Sequence, residues 1–146
     1  LLVRLHPLAY QKILTYAREH KVPLSTAEKL HLETTTPQMA AYFADIHGIP
    51  RRLANVMRWI DSPDMAVEDS ELVAVVAFAR HLCRQNEVGF SGETPDETLI
   101  DLEHTGAWRV LAGRVFPSFS LAKFEALMRT ECRHLKQDLQ GRVTHY

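Results

Sequence analysis

The sequence predicts an all-α protein, a multi-helix bundle, and three observations carry that prediction. Apolar residues recur at helical spacing through most of the chain, all seven prolines fall between such segments, and no stretch alternates apolar and polar residues convincingly enough for a strand. The spacing reads as one helical domain over residues 1–146.

Pro7 opens the first helix, where its missing N–H costs nothing, and Leu8, Ile13, Leu14 and Ala17 form its stripe as far as His20-Lys21. Val22-Pro23-Leu24 breaks it. Ser25, with Glu28 three residues on, has the capping-box pattern for a short helix through Leu32. Thr36-Pro37 starts the next, with threonine as cap, Met39, Ala40, Phe43, Ile46 and His47 on its apolar-leaning side, and Gly48 as left-handed stop. Pro50 begins a helix with Leu53, Val56, Met57 and Ile60 inward, and Asp61-Ser62-Pro63-Asp64 turns the chain.

Asp69 or Ser70 caps the most apolar helix, Glu71 to about Gln85. Its Leu72, Val73, Val75, Val76, Phe78, Ala79 and Leu82 cover most of the circumference, which makes it the central helix. Gly89–Gly92 reads as a loop, Thr94 to His104 as a helix and Gly106–Val115 as a short helical piece ended by Phe116-Pro117. The last helix, about Ser120 to Leu139, carries Leu121, Phe124, Met128, Leu135 and Leu139 on one seam, which packs on the core in preference to another chain. Leu1–Leu5 is extended or the tail of an earlier helix. The start Leu-Leu-Val-Arg-Leu, without an initiating methionine, reads as the C-terminal part of a longer polypeptide.

Composition narrows the function classes. The chain is 46% hydrophobic and 24% charged with a formal net charge of −1, so it has no global attraction to nucleic acid or anionic membrane. The longest apolar run, Leu72–Ala79, falls far short of the roughly 20 residues that span a bilayer. Two cysteines, Cys83 and Cys132, form neither a disulfide framework nor a thiolate zinc site, and a reducing cytoplasm is the expected compartment.

Eight histidines invite a metal, yet none is spaced to put two imidazoles on one helix face. His81 and Cys83, like Cys132 and His134, are two apart and project to different sides of a helix. There is no nucleophile elbow and no glycine-rich phosphate loop. The acidic group Asp61, Asp64, Glu68, Asp69 and Glu71 lacks calcium-loop spacing and is explained by capping and by favourable placement at a helix N-terminus. No cofactor is implied.

The segment Thr36–Pro63 carries a family pattern. His47-Gly48-Ile49-Pro50 follows an aromatic-Gly-aliphatic-Pro signature, Ile60-Asp61-Ser62-Pro63 stands where a His-His-x-Pro turn belongs, and Val73–Arg84 matches a helix with a late aspartate. In this order the chain, best over residues 1–115, resembles the later half of the HD-related output domain (HDOD), a bacterial signalling module related to metal-dependent HD phosphohydrolases, with residues 116–146 as a closing helix. The resemblance implies an HD-domain-like bundle. It also implies a degenerate metal site, because Thr36, Ile60, Asp61 and Arg80 occupy the ligand positions. One carboxylate cannot hold a metal alone, and Arg80 puts a positive charge where a cation would bind.

The expectation is therefore a non-catalytic regulatory module. Its partner is another protein, a neighbouring domain or a second copy of the chain, met through the face Arg51, Arg52, Asn55 and Arg58. Two alternatives stand beside it: a phosphohydrolase whose ligands lie mainly upstream, and a DNA-contacting regulator using the helix pair 37–60, whose arginines would meet phosphates and base edges.

Overall fold

The computed structural model describes residues 7–89 and 101–143, with side chains through residue 138. It is all-α. Seven α-helices lie among the described residues: α1 (Pro7–His20), α2 (Leu24–Leu32), α3 (Thr36–Ile46), α4 (Arg51–Trp59), α5 (Ser70–Gln85), α6 (Gly106–Leu111) and α7 (Leu121–Val143). Single 3-10 turns occur at Pro63–Met65, Leu102–His104 and Ala112–Arg114, and no strand occurs among the described residues. No described helix is long and apolar enough to cross a membrane. The readings of Leu1–Leu5 and of most of the segment from Gly89 to His104 lie outside the described residues.

Neighbouring helices pack in pairs, α1 on α2, α3 on α4 and α5 on α6, while α7 leans on α5. The α1–α2 pair encloses a small core of Tyr10, Ile13, Ala17 and Ala27. A larger one gathers Ala74, Ala77, Phe78 and Leu82 of α5 with Leu102, Ala107 and Leu121. Trp108, Phe124 and Met128 extend it. Among the described residues alanine makes up more than half of the buried apolar ones, so the helices approach closely and bury modest side-chain area.

Several sequence readings are corrected. Leu8 is exposed, and Tyr10 takes its place on the α1 stripe. On α3, Phe43, Ile46 and His47 face solvent while Ala41 and Ala44 are buried. On α4, Leu53 is exposed and Ala54 is buried. On α3 and α4 the small residue sits at the helix contact and displaces the large one outward, a choice that hydrophobicity alone does not reveal. Helix α5 is one-sided, with Val75 and Ala79 exposed, yet it contributes more buried residues than any other described helix.

The caps also differ. α2 begins at Leu24 with no side-chain cap, so Ser25 and Glu28 form no capping box. The box closes one helix later: Thr35 caps α3, its hydroxyl accepting from the Gln38 amide while the Gln38 side chain accepts from the Thr35 amide. Thr36 is thereby left inside the first turn. Gly48 ends α3 in the left-handed conformation (φ 65°), and the Ile49 amide reaches back to the Ala44 carbonyl. Asp69 precedes α5 with φ 54° and makes no side-chain cap.

Candidate functional site

The starts of α2 and α3, the end of α4 and the middle of α5 surround a cavity of about 640 Å³. Thr36, Ile60, Asp61 and Arg80 all line it, so the four positions named from the family pattern meet at one place. Tyr10, Ser25, Glu28, His81 and Arg84 complete its polar lining, and Leu24, Ala40 and Met57 are among its apolar residues. A second cavity of about 680 Å³ shares Ser25, Pro37 and Asp61 with it and carries Lys29, Arg58 and Trp59.

Glu28 is the cavity's anchor, and the sequence reading misses that role. Its side chain is almost wholly buried, with 1% of the residue exposed. Tyr10 donates its hydroxyl to Oε1 at 2.6 Å, the Thr36 hydroxyl donates to the same oxygen, and the Thr36 amide donates to Oε2 at 2.8 Å. Burial, with the adjoining carboxylate, pushes the Tyr10 phenol above its ordinary pKa.

Asp61 accepts from Arg80 Nη1, with each side chain about one-third exposed. His81 beside it is held below its ordinary pKa, chiefly by burial and then by the charges of Arg80 and Arg84, with Asp61 opposing. Its Nδ1 is buried and has no hydrogen-bond partner among the described residues.

These residues do not fit a metal ion. Glu28 is occupied by donors, Asp61 is engaged by a guanidinium, and Thr36 and Ile60 offer at most a weak oxygen and none. Among the described residues no three His, Cys, Asp or Glu side chains are grouped to hold one.

The proposed interaction face needs one correction: Asn55 is 6% exposed and is not part of a solvated surface. It donates to Asp69 Oδ2 at 3.3 Å. The arginines stay exposed, but each meets a carboxylate: Arg51 with Glu68 at 2.8 Å, Arg52 with Asp69 at 3.0 Å and Arg58 with Asp45 at 2.7 Å. Asp64 pairs with Arg109 and Glu71 with Arg114. The whole acidic group is thus matched to arginines; Asp69 makes no side-chain cap, while Glu71 does stand in the first turn of α5. What α3 and α4 leave uncovered is apolar as well: Tyr42, Phe43, Ile46 and Leu53.

Cys83 and Cys132 are free thiols, both partly buried. His20 stacks on Tyr16, His47 packs on Phe43 and His104 meets Asp101 at 2.7 Å.

Comparison of the chain with protein-family models, curated proteins and solved structures finds no match.

Proposed function

We propose that this chain is a non-catalytic regulatory module of the HDOD kind, working in bacterial signal transduction through contact with a protein partner or a neighbouring domain. The observation that carries the reading is the Arg80–Asp61 pair inside the cavity. Where a hydrolase would place a cation, this chain places a guanidinium on the one surviving carboxylate. A carboxylate so engaged is not free to hold a metal that would activate water.

The contact surface we assign is the outer side of α3 and α4. Four large apolar side chains stand exposed on these two helices, and the three arginines of α4 have their charges balanced locally. Apolar exposure rimmed by polar groups favours a protein partner. A DNA backbone would instead have to displace Glu68, Asp69 and Asp45 from those arginines, and Asn55 is too buried to read a base edge.

The test uses a photo-cross-linking amino acid at Tyr42, with Arg133 on α7 as an exposed control, in cells expressing the chain in its native polypeptide. Adducts specific to Tyr42 are expected, and equal or absent adducts overturn the surface assignment. Stoichiometric transition metal together with phosphodiesterase activity lost on chelation would instead establish the hydrolase alternative. DNA binding that falls steeply with salt and with Arg51 and Arg58 substitution would establish the other.

A further inference from the structure

We propose that the cavity between α2, α3 and α5 binds a small molecule carrying a phosphate or carboxylate group, held by the guanidinium fork of Arg80 with Asp61 as a built-in competitor. The inference rests on an imbalance of hydrogen-bonding capacity. Glu28 already takes three donors, two from Thr36 and one from Tyr10, so those groups satisfy one another. Asp61 occupies one of the five N–H donors of Arg80 and is the hydrogen-bond partner of that side chain among the described residues.

Arg84, one turn further along α5, and Ser25 also line the cavity. Beyond the donor that Asp61 takes, the Arg80 guanidinium keeps N–H groups that suit an acceptor-rich anion. A planar guanidinium suits phosphate and carboxylate because both accept two parallel hydrogen bonds. The volume of about 640 Å³ lies in the range that accepts a metabolite, and Ile60, Met57 and Leu24 give such a ligand an apolar wall.

Binding has a structural consequence. An anion on Arg80 competes with Asp61, which follows the last turn of α4, so ligand would loosen the tie between the end of α4 and the middle of α5. His81 lies between Arg80 and Arg84 in sequence and shares their cavity, and an anion there opposes the arginine charges that add to burial in keeping its ring neutral. The site is separate from the outer face of α3 and α4 and stands whether or not Tyr42 cross-links to a partner.

The experiment is titration of the 146-residue chain with inorganic phosphate and, separately, with succinate, at constant ionic strength set by chloride, followed by calorimetry and by the imidazole resonances of His81. Saturable binding of at least one anion is expected, with the His81 pKa rising on binding; the anion preferred separates a phosphate ligand from a carboxylate. Arg80→Gln should weaken binding about tenfold or more, the loss of a charge-assisted hydrogen bond, and Asp61→Asn should tighten it several-fold. If neither anion saturates, or if Arg80→Gln binds as the native chain does, the proposal fails. Should Arg80→Gln not fold, Asp61→Asn decides alone, and unchanged or weaker affinity in that variant overturns it.

Discussion

Thr36 and Glu28 are joined twice: the Thr36 amide donates to one carboxylate oxygen at 2.8 Å and its hydroxyl to the other. This clasp fastens the first turn of α3 to the middle of α2, and Tyr10 extends it to α1. A buried carboxylate with three donors is an inter-helix joint, and removing it orphans those donors. Glu28→Ala should therefore cost about 3 kcal/mol or more, and Glu28→Gln nearly as much, since an amide turns two N–H groups toward donors. Tyr10→Phe should cost less, about 1.5 kcal/mol. Urea denaturation measures the series, and equal stabilities for Glu28→Ala and the native chain would show that the clasp contributes nothing.

The same joint predicts an alkaline limit. Tyr10 has a folded-state pKa raised above the ordinary tyrosine value of about 10, by burial first and by Glu28 next. A raised folded pKa means the protonated phenol favours folding. Its contribution is fully present below the unfolded pKa and is lost as pH rises through the folded one. Thermal stability should fall above about pH 10, and Tyr10→Phe should flatten that fall. Melting temperature against pH, with tyrosinate absorbance on the same samples, checks both.

His81 acts at the acidic end. Its folded-state pKa is depressed below about 6.5, so its neutral ring favours the fold. The contribution is present above the unfolded pKa and is lost as pH falls through the folded value. Chemical denaturation between pH 7.5 and 5 should show this loss setting in below about pH 6.5, and His81→Gln should reduce the slope. An unchanged slope would show that His81 contributes nothing there, since Asp64, which Arg109 holds below its ordinary pKa, loses its contribution only at lower pH, below about 4.

The α3–α4 contact inverts the usual ranking of core residues. Ala44 is fully buried, whereas Phe43 beside it is 41% exposed and packs on His47. Phe43→Ala should change stability by less than about 1 kcal/mol, while Ala44→Leu should cost about 1–3 kcal/mol by forcing the helices apart. The opposite order would mean that Phe43, not Ala44, is the packing residue.

That inversion shows where the sequence was legible. Helix existence and most boundaries follow from local chemistry: proline at first turns, Gly48 as a left-handed stop and Ser120 preceding the last helix all act within a few residues. Which face turns inward depends on how near two axes come, and at α3 and α4 alanines set that distance, so Phe43, Ile46 and Leu53 are exposed against the expectation. At the cavity, Thr36, Ile60, Asp61 and Arg80 were named from a pattern and do converge. Glu28 was hidden because its three donors come from α1 and α3, and nothing local distinguishes a clasping glutamate from a capping one.

Gly106 gives a test of a long-range ion pair by sign reversal. It opens α6, capped by the Thr105 hydroxyl, and a β-carbon added there would lie 2.5 Å from Asp64 Oδ1. The close approach lets Asp64 meet Arg109 at 2.6 Å, which ties the Pro63–Met65 turn to α6. Gly106→Ala alone should destabilise by about 1 kcal/mol, because the methyl pushes Asp64 from Arg109. In an Asp64→Ala background the obstacle is gone, and alanine's better helix propensity, worth up to about 1 kcal/mol, should make the same substitution neutral or stabilising. The double-mutant cycle should thus show a coupling of about 1 kcal/mol or more. Additive effects would mean that Gly106 is kept for the backbone of the turn and not for the pair.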